Sequence, residues 1–179
     1  MKYLVASDIH GSEFYCKKVL EAFEREGADR LILLGDLLYH GARNDLPKDY
    51  STKGVTALLN SYADKIFAVR GNCDSEVDQM VLNFPIMADY MLLVSGERLI
   101  FVTHGHLFNT ENRPKLKKGD VLLHGHTHVR VCQDAGDFTY INPGSVSIPK
   151  DNMEGGYMTV EDGVFTWKLM DGTVTDSWK

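Results

Sequence analysis

Short apolar runs without polar alternation mark the first half of the chain. Tyr3–Ala6 reads as a short buried strand, Leu31–Leu34 as a strand covered on both faces, and Ile66–Val69 as a third strand. Amphipathic stretches lie between them. Ser12 can cap a helix running to about Glu26, with Phe14, Val19, Leu20 and Phe23 near helical spacing, and Gly27 can close it. Tyr39–Tyr50 is polar and holds Gly41 and Pro47, which makes it a loop, and Ser51–Tyr62 reads as a second helix. The order strand, helix, strand, helix, strand predicts a parallel sheet with helices on its faces.

The rhythm then changes. Tyr90–Val94 and Arg98–Val102 read as strands joined by a turn at Ser95-Gly96, and Asn109–Lys118 as a charged connection. Val121–Leu123, Val129–Val131 and Phe138–Ile141 are further short strands, and Asn142–Ser145 is a tight turn in which Gly144 supplies backbone freedom. Tyr157–Val160 and Val164–Leu169 form a hairpin about Asp162-Gly163. The expected architecture is α/β, with two sheets packed face to face and helices outside.

A chain of 179 residues fits a single domain, 1–179, with a sizeable core. Its net charge of −6 gives no basic footprint for nucleic acid or an anionic membrane. No apolar run reaches membrane-spanning length, and Tyr3–Ala6 is broken at once by Ser7-Asp8, which does not suit a leader. Cys16, Cys73 and Cys132 are an odd, sparse set without a Cys-x-x-Cys pair, the pattern of reduced thiols in a cytoplasmic protein.

One arrangement recurs at five strand ends: an apolar run stops, and glycine with Asp, Asn or His follows. These positions are Asp8 with His10, Asp36, Asn72, His104, and His126 with His128. In open α/β sheets, sites form beyond the carboxyl ends of strands. Singly, each position has a structural explanation: Asp36 as a helix cap, Asn72 as a turn residue, His104 as a satisfied imidazole. Together, four imidazoles, two carboxylates and an amide would be costly to cluster without a cation. An extended backbone would point His126 and His128 to one side. Imidazole and carboxylate donors suit a first-row divalent metal, and seven ligands suit two ions about 3.5–4 Å apart with one carboxylate bridging.

The motifs Asp8-Ile9-His10, Gly35-Asp36, Gly71-Asn72-Cys73-Asp74, Thr103-His104-Gly105-His106 and Gly125-His126-Thr127-His128 resemble those of the calcineurin-like metallophosphoesterases. Val69–Gln79, Thr103–Phe108 and Asn142–Pro149 extend the resemblance to small bacterial phosphodiesterases of the YfcE type. The resemblance implies a four-layer α/β/β/α sandwich and a two-metal hydrolase of small phosphodiesters. Its ions would be manganese first, with zinc, iron, cobalt or nickel as alternatives, and water held between them would attack phosphorus in line. Carried over by motif, Asp8, His10 and His128 would hold one metal, Asn72, His104 and His126 the other, and Asp36 would bridge.

Many family members carry a histidine after the motif's asparagine, thought to protonate the leaving oxygen. Here Cys73 stands there, a weaker donor that would favour good leaving groups. Asn72, Cys73 and His104 are thus the candidate catalytic residues. His106, Arg70 and His40, with Arg43, are candidate substrate contacts. His124 reads as a packed residue under the site, and Asp74 as an orienting group or a helix cap. The alternatives are a phosphomonoesterase or nucleotidase on the same site, and a non-catalytic scaffold like the retromer subunit of this fold. No stable nucleic-acid or membrane partner is expected, and a homo-oligomer, dimer or tetramer, is compatible with exposed strand edges.

Overall fold

The computed structural model describes residues 1–179. Eleven strands and three α-helices run in the order β1 (Lys2–Ala6), α1 (Glu13–Glu26), β2 (Arg30–Leu33), α2 (Thr52–Asn60), β3 (Ile66–Ala68), α3 (Glu76–Val81), β4 (Tyr90–Ser95), β5 (Arg98–Thr103), β6 (Val121–Leu123), β7 (Arg130–Asp134), β8 (Thr139–Pro143), β9 (Gly156–Glu161), β10 (Val164–Leu169) and β11 (Val174–Trp178). One sheet has the order β11-β10-β9-β1-β2-β3 and the other β4-β5-β6-β8-β7. Strands β1, β2 and β3 run parallel, as do β5, β6 and β8, so the carboxyl ends within each set point the same way.

The unbroken apolar runs of β1 and β2 are explained by burial on both faces, whereas β3 is an edge strand that leaves Phe67 exposed. Leu4, Ala6, Leu31 and Leu33 pack under α1 and α2 with Val19, Phe23, Val55 and Leu59. The alternate residues Tyr3, Val5, Ile32 and Leu34 meet Ile100, Val102, Val121 and Leu123 of the second sheet. The second sheet's other face buries Phe101, Leu122 and Tyr140. That face is covered by coil, through Phe108 and Leu116, and not by a helix. The stretch 109–118 has Pro114 and no apolar stripe, so it cannot build one.

Helix α1 begins and ends where expected: Ser12 Oγ accepts from Tyr15 N–H at 3.2 Å, and Gly27 closes it at φ 58°. Ser51 caps α2 in the same way through Gly54 N–H. Two elements carry no sequence expectation. Helix α3 buries none of its residues, and β11 is an exposed edge strand, so neither leaves an apolar period in the sequence.

Candidate metal centre

All seven expected ligands converge at the carboxyl ends of β1, β2, β3, β5 and β6. Donor atoms of Asp8, His10 and His128 form one group, and those of Asp36, His104 and His126 a second. Asp36 Oδ2 lies 3.7 Å from His10 Nε2 and 3.4 Å from His104 Nε2, between the two groups. Asn72 Oδ1 is 3.1 Å from His104 Nε2, which places the amide with the second group.

The expected extended backbone at Gly125–Val129 is not found. Strand β6 stops at Leu123, and His126 and His128 both adopt left-handed backbone, with φ of 66° and 63°. The reason is hydrogen bonding: His126 N–H donates to Asp8 Oδ2 at 3.1 Å, and His128 O accepts from Lys150 N–H at 3.1 Å. The turn sends the two imidazoles to different groups. Asp8, His10 and Asp36 are left-handed as well, at φ of 59°, 49° and 55°. Each such residue costs on the order of 1 kcal/mol, and five among seven ligands is strain concentrated at a site.

Backbone carbonyls orient the rings. His10 Nδ1 is 2.8 Å from Tyr39 O, His104 Nδ1 2.6 Å from Leu34 O, and His128 Nδ1 2.7 Å from Ile148 O. A carbonyl only accepts, so each Nδ1 carries a proton and each Nε2 turns inward. His126 instead presents Nδ1, 3.2 Å from His104 Nε2. In the neutral rings the inward Nε2 atoms of His10, His104 and His128 are acceptors, joined by the buried Asp8 Oδ1, which has no hydrogen-bond partner. Such a set requires positive charge at its centre, and its imidazole, carboxylate and amide donors fit divalent metal ions. Protons feel the same demand. Burial opposes charge on His104, yet Asp36 and Asp8 raise its imidazole to about 9. Burial also opposes charge on Asp8, but His10 and His128 hold its carboxyl well below the usual range.

Asp74 resolves in favour of orientation. Its carboxylate accepts from the N–H groups of Asp36, Leu37 and Gly71 at 2.8, 2.9 and 2.7 Å. The helix cap is Ser75, paired with Asp78 in a capping box. Gly71 is required here because a Cβ at that position would strike the Asp36 carboxylate. On the other side, Ser145 and Ser147 hydroxyls donate to Asp8 O at 3.0 and 2.8 Å. Asn142 Nδ2 donates to Gly125 O at 2.9 Å and its Oδ1 accepts from Gly144 N–H at 2.8 Å, so the 142–145 turn supports the His126 loop as expected. His124 is packed beneath, stacked on Tyr140, and burial pushes its imidazole down to about 4.

Above the ligands opens a cavity of about 910 Å³. Cys73 lines it, with its N–H donating to Asp36 Oδ1 at 2.8 Å. Burial and then Asp36 push the thiol up to about 12, so it keeps its proton at neutral pH. Three of the four expected substrate contacts are not in this wall. His40 is wedged between the rings of Tyr39 and Tyr50 and serves the loop. Arg70 turns outward, 3.9 Å from Glu76. His106 lines a neighbouring cavity behind His126. Arg43 does line the main cavity, and so does Lys150, which no motif singled out.

A model of the "Calcineurin-like phosphoesterase superfamily domain" matches residues 1–162. The chain belongs to this superfamily. It is 49% identical over 166 residues to phosphodiesterase YfcE of Escherichia coli strain K12, covering 93% of this chain and 90% of that protein. The solved structure of YfcE, described as a phosphoesterase from E. coli, superposes with a TM-score of 0.95 at 46% identity, over 99% of this chain and 98% of that one. Vps29 of Chaetomium thermophilum shares the fold at a TM-score of 0.64 and 17% identity, over 99% of this chain and 97% of its own. The two mixed sheets with few helices are the metallophosphoesterase fold.

Proposed function

We propose that this chain is a metal-dependent phosphodiesterase that hydrolyses small phosphodiesters with two divalent cations, manganese foremost. The observation that carries this reading is the double acceptor set sharing Asp36. Asp8, His10 and His128 would hold one ion, Asn72, His104 and His126 the other, and Asp36 would bridge. Bound there, the ions supply Lewis acidity and an acidified water. The chain's own part is to fix this geometry. Carbonyls of Tyr39, Leu34 and Ile148 set the imidazoles, and Asp74 sets the Asp36 backbone. Cys73 offers a protonated thiol toward the leaving oxygen, a weak donor that favours esters with good leaving groups.

A full ligand set supports catalysis over a scaffold role of the same fold. The unpaired thiols and net negative charge support a cytoplasmic enzyme of small substrates and not a nuclease. The test compares bis(p-nitrophenyl) phosphate with p-nitrophenyl phosphate, which share a leaving group, after chelator treatment and manganese return. The diester is expected to be hydrolysed faster, only with metal, and Asp36→Asn to abolish it. Preference for the monoester would favour a phosphomonoesterase instead. Unchanged hydrolysis in Asp36→Asn and His126→Ala would remove the enzyme reading.

A further inference from the structure

The cavity above the ligands is large for a simple diester, at about 910 Å³. Besides histidines, its charged lining residues are Asp36, Arg43, Asp74 and Lys150. Asp36 faces the ligand histidines, and Asp74 is consumed by three backbone N–H groups. The two cations are uncommitted. The lysine and arginine ion pairs of the chain involve Lys2, Lys17, Lys18, Lys65, Arg70 and Lys168, and neither Arg43 nor Lys150 is among them. This occurs in a chain with 25 acidic residues against 19 basic ones, none of whose exposed acids enters the wall.

Both cations hang from segments tied to ligands. Ile148 O accepts from His128 Nδ1–H at 2.7 Å, and Lys150 N–H donates to His128 O at 3.1 Å. Arg43 sits in a turn closed by Asn44 N–H donating to Gly41 O at 3.2 Å and Asn44 Nδ2 donating to His40 O at 2.8 Å. That turn follows Tyr39, whose carbonyl orients His10. The backbone positions of both cations are thereby fixed relative to the reacting centre.

We infer that Arg43 and Lys150 form an anion subsite, and that the substrate is a phosphodiester bearing a second phosphate group away from the scissile phosphorus. The inference rests on the phosphodiesterase reading. A diester carries one negative charge, which cations bound at the ligand cluster would meet. A guanidinium and an ammonium lining the same cavity match the fork and point-charge modes of phosphate recognition. Arg43 and Lys150 are specificity residues in this account and take no part in bond breaking.

A matched pair of substrates tests it: the p-nitrophenyl ester of thymidine 5′-phosphate, with a free 3′-hydroxyl or with a 3′-phosphate. Leaving group, nucleoside and scissile diester are identical. The manganese-loaded protein is expected to favour the 3′-phosphorylated ester by about tenfold in kcat/KM, through KM, and less at high salt. In the Arg43→Met, Lys150→Met double variant that ratio falls to near one, and Lys150→Glu pushes it lower than the single Lys150→Met. A readout free of turnover is calorimetric affinity for thymidine 3′,5′-diphosphate relative to thymidine 5′-phosphate, which drops in the double variant. Equal kcat/KM for the two esters, or a preference that survives the double variant, overturns the inference and leaves the phosphodiesterase reading intact. If neither ester is hydrolysed, that reading fails and the inference with it.

Discussion

Nε2 of His10 lies 3.2 Å from Nε2 of His128, although 118 positions separate the residues. Each ring has spent its other nitrogen on a carbonyl, of Tyr39 and of Ile148. Two lone pairs facing each other at this distance repel unless a positive charge sits between or beside them. Asp8 Oδ1, at 3.6 Å from one ring and 3.3 Å from the other, completes the demand. The fold therefore holds its ligands in an arrangement that calls for positive charge between them, from a metal ion or a proton.

Asp74 is the support whose loss should be felt twice. Asp74→Ala strands three backbone N–H groups beside Asp36. The expected cost is about 2–4 kcal/mol of stability, read by urea unfolding with chelator present. Diester hydrolysis should fall about 10–100-fold, with a raised manganese requirement, because Asp36 is no longer held. Loss of stability with full activity would mean that Asp74 matters only for folding.

Cys73 is tested with leaving groups. On a diester of a poorly acidic alcohol, Cys73→Ala should slow hydrolysis by about two- to tenfold, and Cys73→His should accelerate it, since an imidazolium is the stronger donor. On bis(p-nitrophenyl) phosphate both effects shrink. An unchanged rate for Cys73→Ala on the poor leaving group would make Cys73 a filler against Gly41, whose added Cβ would lie 3.3 Å from its sulfur.

Far from the metal centre, Glu26 joins α1 to β1 and β10 through Lys2 at 3.0 Å and Lys168 at 2.8 Å, with Tyr157 OH donating at 2.7 Å. Burial alone would raise its carboxyl, but Lys168, Tyr157 and Lys2 lower it from 4.5 to about 2. The folded value lies below the unfolded one, so the stabilisation is present above pH 4.5 and is lost as pH falls toward 2. Glu26→Gln should be less stable than the natural chain by about 1–3 kcal/mol at pH 7, and the gap should close across that acid window. A gap independent of pH would assign the effect to packing.

Much of this was legible in the residues. The strand ends announced the ligands because each apolar run stops abruptly at a polar donor, as at Leu33-Leu34-Gly35-Asp36. The doubly buried β2 is legible as an apolar run without alternation, but the same signal at Ile66–Val69 belongs to an edge strand with Phe67 exposed. The direction of His126 and His128 was not legible, because left-handed backbone at non-glycine residues is paid for by long-range bonds to Asp8 and Lys150. Lys150 stands in no motif, and its place in the cavity wall depends on the Ile148 carbonyl meeting His128. Arg70 and His40 lie outside the cavity lining, Arg70 3.9 Å from Glu76 and His40 between two tyrosine rings, and closeness in sequence to the ligand motifs does not reveal those contacts.

The most direct test of the account is a manganese titration of chelator-treated protein by calorimetry, followed in parallel by diester hydrolysis. Two ions per chain are expected at saturation, with hydrolysis appearing as the second site fills. His128→Ala and His104→Ala, one from each group, should each retain about one ion and lose hydrolysis by at least about a hundredfold. A single ion at saturation in the natural chain, or full hydrolysis with one ion bound, would contradict a centre built on two groups that share Asp36.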